Sequence, residues 1–296
     1  MTQFPFYIVD VFGVRKYSGN QLAVVGNAGS LTTEQMQEIT REMGFSETSF
    51  ILTDEERDGG YDVRIFTPRR EVPFAGHPTL GTAFVIQREI LGGPVSELAI
   101  NLKIGKILVD IEYEGGSPGV LWMSQPRPDF GPAHDAGKLA PVLNIAQEEI
   151  DGRYPVEEVS TGFPYVIVPV CSLEALEGVS VDLPRYYAYI ENTNAKAILV
   201  FCPDARSNDN DLSMRVFGDY YGVPEDPATT GSAAGCLGAY LSKHRSLGGD
   251  VVDVRVEQGY ELRRPSLLLV KADFRGGEIG VRVGGSVFMV AQGELV

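Results

Sequence analysis

Three side chains of this sequence stand in contexts suited to moving a proton: Glu47, His77 and Asp226. Glu47 lies between the hydroxyl residues Ser46 and Thr48, with Phe45 and Phe50 close on either side. A carboxyl in a partly apolar corner has a raised pKa, and one that titrates near the working pH can both take and return a proton. The same context also fits a solvated loop carboxylate, which is the commoner case. His77 sits in residues 71–81, Glu-Val-Pro-Phe-Ala-Gly-His-Pro-Thr-Leu-Gly, directly before Pro78. Proline suits the first turn of a helix, so the stretch reads as strand, tight turn, and a helix beginning just past His77. His77 equally fits a turn or capping residue there. Asp226 precedes Pro227 near a second such helix start, where Asp is also an ordinary cap. Thr229, Thr230, Gly231 and Ser232 follow it. Their N–H groups and hydroxyls would suit a bound carboxylate, because helix N-termini hold anions. Small residues at a helix start also serve plain packing.

The elements that carry these residues occur twice. Arg64, Phe66 and Val72 lead into Pro73 and the His77 helix, and Arg215, Phe217 and Val223 lead into Pro224 and the Asp226 helix. The Arg-to-Val spacing is the same in both, and the copies lie about half a chain apart. A duplicated unit places the active site where two helix N-termini face each other. Arg64 and Arg215 then do one structural job twice, pairing with backbone or carboxylate.

The rest of the composition narrows the chemistry. The 296 residues favour two domains. A net charge of −15 argues against a nucleic-acid or anionic-membrane partner. Cys171, Cys202 and Cys236 are odd in number and widely spaced, and His77, His134 and His244 form no ligand pattern. No dinucleotide fingerprint, phosphate loop, His-Glu-x-x-His or nucleophile elbow occurs. Nothing calls for a nucleotide, flavin or metal, and acid–base chemistry is what remains. The first residues lack a basic leader, and no apolar run nears the roughly 18 residues of a membrane span, so a cytoplasmic protein is expected.

In chain order, strands are expected at 6–12 and from 20. A helix is expected over 31–44, with Thr32 and Gln35 spaced as a capping box and Gly44 as its stop. A strand at 61–67 precedes the first central helix, 78–90, and antiparallel strands follow at 97–102, 106–113 and 120–125. Residues 126–140, rich in Pro and Gly, read as a linker, and 144–150 as a short helix. The second half repeats the programme through 159–168, 197–202 and 215–217 to a helix at 232–243. Strands at 251–258, 267–273, 279–283 and 287–292 close the chain. Both central helices carry small residues, as a helix wrapped by a sheet requires.

The Pro-Phe-Ala-Gly-His-Pro-Thr-Leu-Gly motif at 73–81 and the Glu-Asp-Pro-Ala-Thr-Thr-Gly-Ser-Ala motif at 225–233 identify a resemblance to the PhzF-like family of the diaminopimelate epimerase-like fold. Gly19-Asn20, Phe45-Ser46-Glu47-Thr48, Ser160-Thr161-Gly162 and Gly284-Gly285 fall in order with it. The resemblance implies an α+β fold of two pseudo-symmetric halves, each a barrel-like sheet around a central helix. The halves would be residues 1–117, joined by the last strand at 287–296, and residues 118–286. It implies a cofactor-independent isomerase, usually a homodimer, that moves a proton within trans-2,3-dihydro-3-hydroxyanthranilate or an analogue, giving a ketone that goes on to phenazines. Glu47, His77 and Asp226 would be catalytic. Asn20, Gly76, Thr229, Thr230, Gly231 and Ser232 would bind the carboxylate substrate. An additional Thr lengthens the second motif by one residue.

Two other functions fit the same residues. One is an amino-acid epimerase or racemase with carboxylates in place of thiols. Related racemases use a thiol from each half, but Ala75 and about Pro227 stand at those positions here. The other is a dimeric small-molecule-binding protein without turnover.

Overall fold

Two buried helices organise the chain, and strands surround both. In the computed structural model, which describes residues 4–228 and 231–296, all ten residues of α2 (Gly76–Val85) are buried. So are eleven of the thirteen residues of α6 (Ser232–His244). A helix enclosed on every side cannot present large side chains all round. A Cβ on Gly81 would lie 2.6 Å from Leu22 Cδ2, and one on Gly238 2.6 Å from Val270 Cγ1. The small residues set how closely strands approach each helix. One core spans both helices, and each aliphatic side chain fully buried there contributes about 1.5–3 kcal/mol.

Around α2 run β1 (Phe4–Val11), β2 (Asn20–Val25), β3 (Glu47–Ile51), β4 (Tyr61–Phe66), β5 (Glu71–Val72), β6 (Glu97–Leu102), β7 (Gly105–Glu114) and β8 (Ser117–Ser124). Outside them packs α1 (Thr33–Met43), held by the Thr32–Gln35 capping box and stopped by left-handed Gly44. Around α6 run β9 (Asp129–His134), β10 (Val156–Ser160), β11 (Pro164–Pro169), β12 (Ala197–Cys202), β13 (Leu212–Gly218), β14 (Val223–Asp226), β15 (Val252–Gln258) and β16 (Ser266–Arg275). The last strand, β17 (Glu278–Leu295), pairs with β16 and β8 over its first half and with β1 over its second. The resulting α+β architecture is the expected fold class.

The repeat is visible in strand register. β2 and β3 are parallel with Leu22 opposite Glu47, and β11 and β12 are parallel with Tyr165 opposite Ala197. Next along, Thr48 faces Phe66 and Ile198 faces Phe217. Arg64 pairs with Glu71 at 2.9 Å and lies over Phe66, while Arg215 pairs with Glu225 at 2.8 Å and lies over Phe217. Each pair ties the short strand that leads to a central helix onto its longer neighbour.

Four segments differ from the sequence reading. Residues 126–140 are not a linker: they form β9 and most of α3 (Ala136–Leu143), which Asp135 caps. Asn144 ends that helix in a left-handed conformation instead of starting one, since Asn suits both ends. The short helices α4 (Leu173–Gly178) and α5 (Leu183–Ile190) were not anticipated, although Ser172 and Asp182 are N-caps of the usual kind. Gly284 and Gly285 do not break the final strand. A Cβ on either would overlap Trp122 or Phe12, so they are packing glycines inside one continuous element.

Candidate active site

Glu47 opens β3, where the register with Leu22 turns its side chain inward, and it is 5 % exposed. His77 is fully buried in the first turn of α2. This corrects the expectation that it precedes the helix: the helix begins at Gly76, with Ala75 as its N-cap. Glu47 Oε2 and His77 Nε2 stand 3.5 Å apart, and neither makes a hydrogen bond among the described residues. On the other side of the ring, His77 Nδ1 lies 3.2 Å from Asn20 Nδ2. Asn20 Nδ2 also donates to Asp226 Oδ1 at 2.6 Å and reaches the Ala228 carbonyl at 3.2 Å. The Ala228 N–H donates to Asp226 Oδ1 at 3.3 Å. Glu47, His77, Asn20 and Asp226 thus form one chain of neighbours drawn from both halves of the sequence.

Burial sets the charges. It raises the Glu47 carboxyl well above its ordinary value, and the nearby Asp226 charge adds to that. Asp226 is pushed up to about 7, first by burial and further by Glu225, against the pull of the Ala228 N–H and Asn20. Glu47 Oε2 has no donor among the described residues. Burial also holds His77 down to about 3, so its imidazole is neutral at physiological pH. The arrangement is two carboxyls of raised proton affinity beside a neutral ring.

Glu47 and Asp226 both border one cavity. Phe74, Phe163 and Tyr221 supply much of its wall, and no Lys or Arg borders it among the described residues. A ligand there meets an apolar body and two protonatable groups. His77 and Asn20 stand behind these carboxyls and do not border the cavity.

The two helix N-termini do face each other, in direct contact. A Cβ on Gly76 would lie 2.2 Å from the Gly231 nitrogen and 2.7 Å from that of Ser232, so only glycine allows the approach. Gly76, Gly231 and Ser232 therefore sit between the helices and off the cavity wall. Ser232 is buried, and its hydroxyl makes no hydrogen bond among the described residues. Thr229 and Thr230 lie outside the described residues.

Of the wall residues that the sequence reading does not single out, two follow from the repeat. Ala197 occupies in β12 the register position that Glu47 occupies in β3, and both border the cavity. Phe163 follows Gly162 as Asn20 follows Gly19. Comparing the two copies position by position marks both.

Known proteins share this architecture and its sequence. The profile of the phenazine biosynthesis-like protein family (PhzC-PhzF) matches residues 9–293. A trans-2,3-dihydro-3-hydroxyanthranilate isomerase of Pseudomonas fluorescens is 35% identical over 296 residues, spanning 98% of this chain and 99% of its own. The PhzF-family phenazine biosynthesis protein of Bacillus anthracis superposes with a TM-score of 0.88 at 29% identity, over 100% of both chains. A hydroxyproline epimerase from Agrobacterium vitis, 8% identical, shares the fold alone, with a TM-score of 0.63 over 100% of this chain and 91% of its own. The chain belongs to the phenazine biosynthesis-like family and is an isomerase of the PhzF type.

Proposed function

We propose that this isomerase acts on trans-2,3-dihydro-3-hydroxyanthranilate or a close cyclic analogue bearing a carboxylate, with Glu47 as the proton carrier. The observation that carries the reading is Glu47 Oε2, a buried carboxyl oxygen without a hydrogen bond among the described residues, on a carboxyl that borders the cavity. In its ionised form such a carboxylate is a strong base. It takes a proton from a ring carbon as that C–H bond breaks, and the electron pair moves along the adjacent double bond. The same proton then bonds to another ring carbon and Glu47 returns to its starting state. Substrate and product differ in where the hydrogen sits and, with it, in where the double bond lies. The Asp226 charge assists by raising the proton affinity of Glu47, and neutral His77 backs Glu47 at 3.5 Å.

The apolar wall fits the ring of such a compound. No cofactor enters the scheme. We further infer a cytoplasmic homodimer of two halves joined by the final strand, on the strength of the family resemblance. No helix among the described residues is long and apolar enough to cross a membrane. The net charge of −15 speaks against nucleic acid as a partner. The test is proton NMR of that compound with purified protein. Catalytic loss of substrate signals supports the assignment, and an unchanged spectrum at micromolar enzyme overturns that choice of substrate.

A further inference from the structure

Asn20 is where the two halves of the site meet, so whatever fixes Asn20 fixes the spacing of the carboxyls. The grip comes from far along the chain. Arg264, in the loop 259–265 between β15 and β16, donates from Nε to the Gly19 carbonyl at 2.9 Å. Its Nη2 donates to Asp10 Oδ1 at 2.5 Å and to the Ser18 carbonyl at 3.2 Å. Asp10 is 1 % exposed, and its other carboxylate oxygen accepts from the Tyr17 N–H at 2.6 Å. The Gly19 N–H donates to the Pro265 carbonyl at 3.0 Å. Gly19 itself has φ +77°, and a Cβ there would lie 2.4 Å from the Val11 carbonyl. Every side-chain acceptor of Arg264 lies in the stretch that delivers Asn20.

The ends of the same loop hold the other partner. Gln258 Nε2 donates to the Asp226 carbonyl at 2.7 Å, and Ser266 Oγ donates to the Pro227 carbonyl at 2.9 Å. One connection therefore clamps the main chain on both sides of the Asn20–Asp226 hydrogen bond.

We infer that Arg264 is a positioning residue for the isomerisation: it fixes the turn at Ser18 and Gly19 so that the Asn20 amide bridges Asp226 and His77. The inference rests on the proposed role of those residues. A planar guanidinium can serve two carbonyls and a carboxylate at once, whereas a lysine ammonium keeps the charge beside Asp10 and loses the fork.

The test compares Arg264→Lys, Asn20→Ala and the double variant, with thermal unfolding as the control for folding. Turnover of trans-2,3-dihydro-3-hydroxyanthranilate gives kcat and KM, and ¹⁵N NMR of the Asn20 side-chain amide reports its bonding without substrate. Arg264→Lys is expected to fold, to lower kcat about 10- to 100-fold with KM little changed, and to speed exchange of the Asn20 amide. Added to Asn20→Ala it should cost nothing more, because both act through one contact. A slow Asn20→Ala beside an Arg264→Lys of wild-type kcat and wild-type amide exchange overturns the inference alone. So does an Arg264→Lys loss that multiplies the Asn20→Ala loss. An Asn20→Ala enzyme of wild-type turnover overturns the reading of the site and this inference with it. If the compound is not turned over, an unchanged Asn20 amide in Arg264→Lys still overturns the inference.

Discussion

Glu47 and Ala197 face one cavity from equivalent places in the two copies of the repeat, each on a strand that runs parallel to its neighbour at the same register. One copy carries a carboxyl at that place and the other a methyl. The repeat is therefore symmetric in backbone and asymmetric in chemistry, and the Ala197 wall is free to seat the body of a ligand.

Ala197→Leu adds bulk to that seat without touching the carboxyls. The expected result is a KM raised roughly tenfold with kcat changed much less, the pattern of lost ground-state binding. Steady-state kinetics over a substrate range checks it, and a loss confined to kcat would place Ala197 away from the bound ligand.

Asp226→Asn removes a negative charge beside Glu47. That charge raises the Glu47 pKa, so the rise of kcat/KM with pH that reports Glu47 ionisation should move to lower pH in the variant. Stability follows from the other side. Asp226 titrates at about 7 in the folded protein against an ordinary 3.8, so its contribution is complete below 3.8 and is lost as pH climbs through 7. Thermal unfolding across that window should therefore fall less steeply in Asp226→Asn than in the wild type. An unmoved rate limb would contradict the coupling of the two carboxyls.

The two copies also allow a matched comparison of ion pairs. The Arg215 side chain is 7 % exposed and also donates to the Leu176 and Val179 carbonyls at 3.0 and 2.7 Å, whereas Arg64 is 26 % exposed. Breaking a buried pair strands its partner, so Arg215→Ala should cost about 3 kcal/mol or more. Arg64→Ala should cost about 1 kcal/mol. Urea denaturation of both variants measures the difference, and equal losses would contradict the account of burial.

Much of this architecture is legible in the sequence because it is written twice. The Arg-x-Phe strands, the Val-Pro turns and the small-residue helices each carry a local signal, and their repetition gives that signal its meaning. The α1 boundaries follow from Thr32, Gln35 and Gly44, whose roles need only neighbours in sequence. The segment 126–140 reads as a linker because Pro and Gly there serve a strand and a helix, and Asn144 can begin or end an element. The site divides in the same way. Glu47, His77 and Asp226 sit in recognisable motifs, but the order in which they touch does not. That Asn20 joins His77 to Asp226, and that Arg264 holds Asn20's turn, depends on contacts across more than 200 residues of chain, as the Asn20–Asp226 and Arg264–Asp10 bonds show. No local pattern announces them.

The most direct test of the account follows the hydrogen itself. Wild type and Glu47→Gln would be incubated with trans-2,3-dihydro-3-hydroxyanthranilate in deuterated water, and substrate and product carbons read by NMR. The account predicts isomerised product from the wild type, with deuterium at the carbon that receives the proton wherever Glu47 exchanges with solvent. It predicts a rate lower by about 10²- to 10⁴-fold in a Glu47→Gln protein that is still folded. A Glu47→Gln enzyme that isomerises the compound as fast as the wild type would show that Glu47 does not carry the proton.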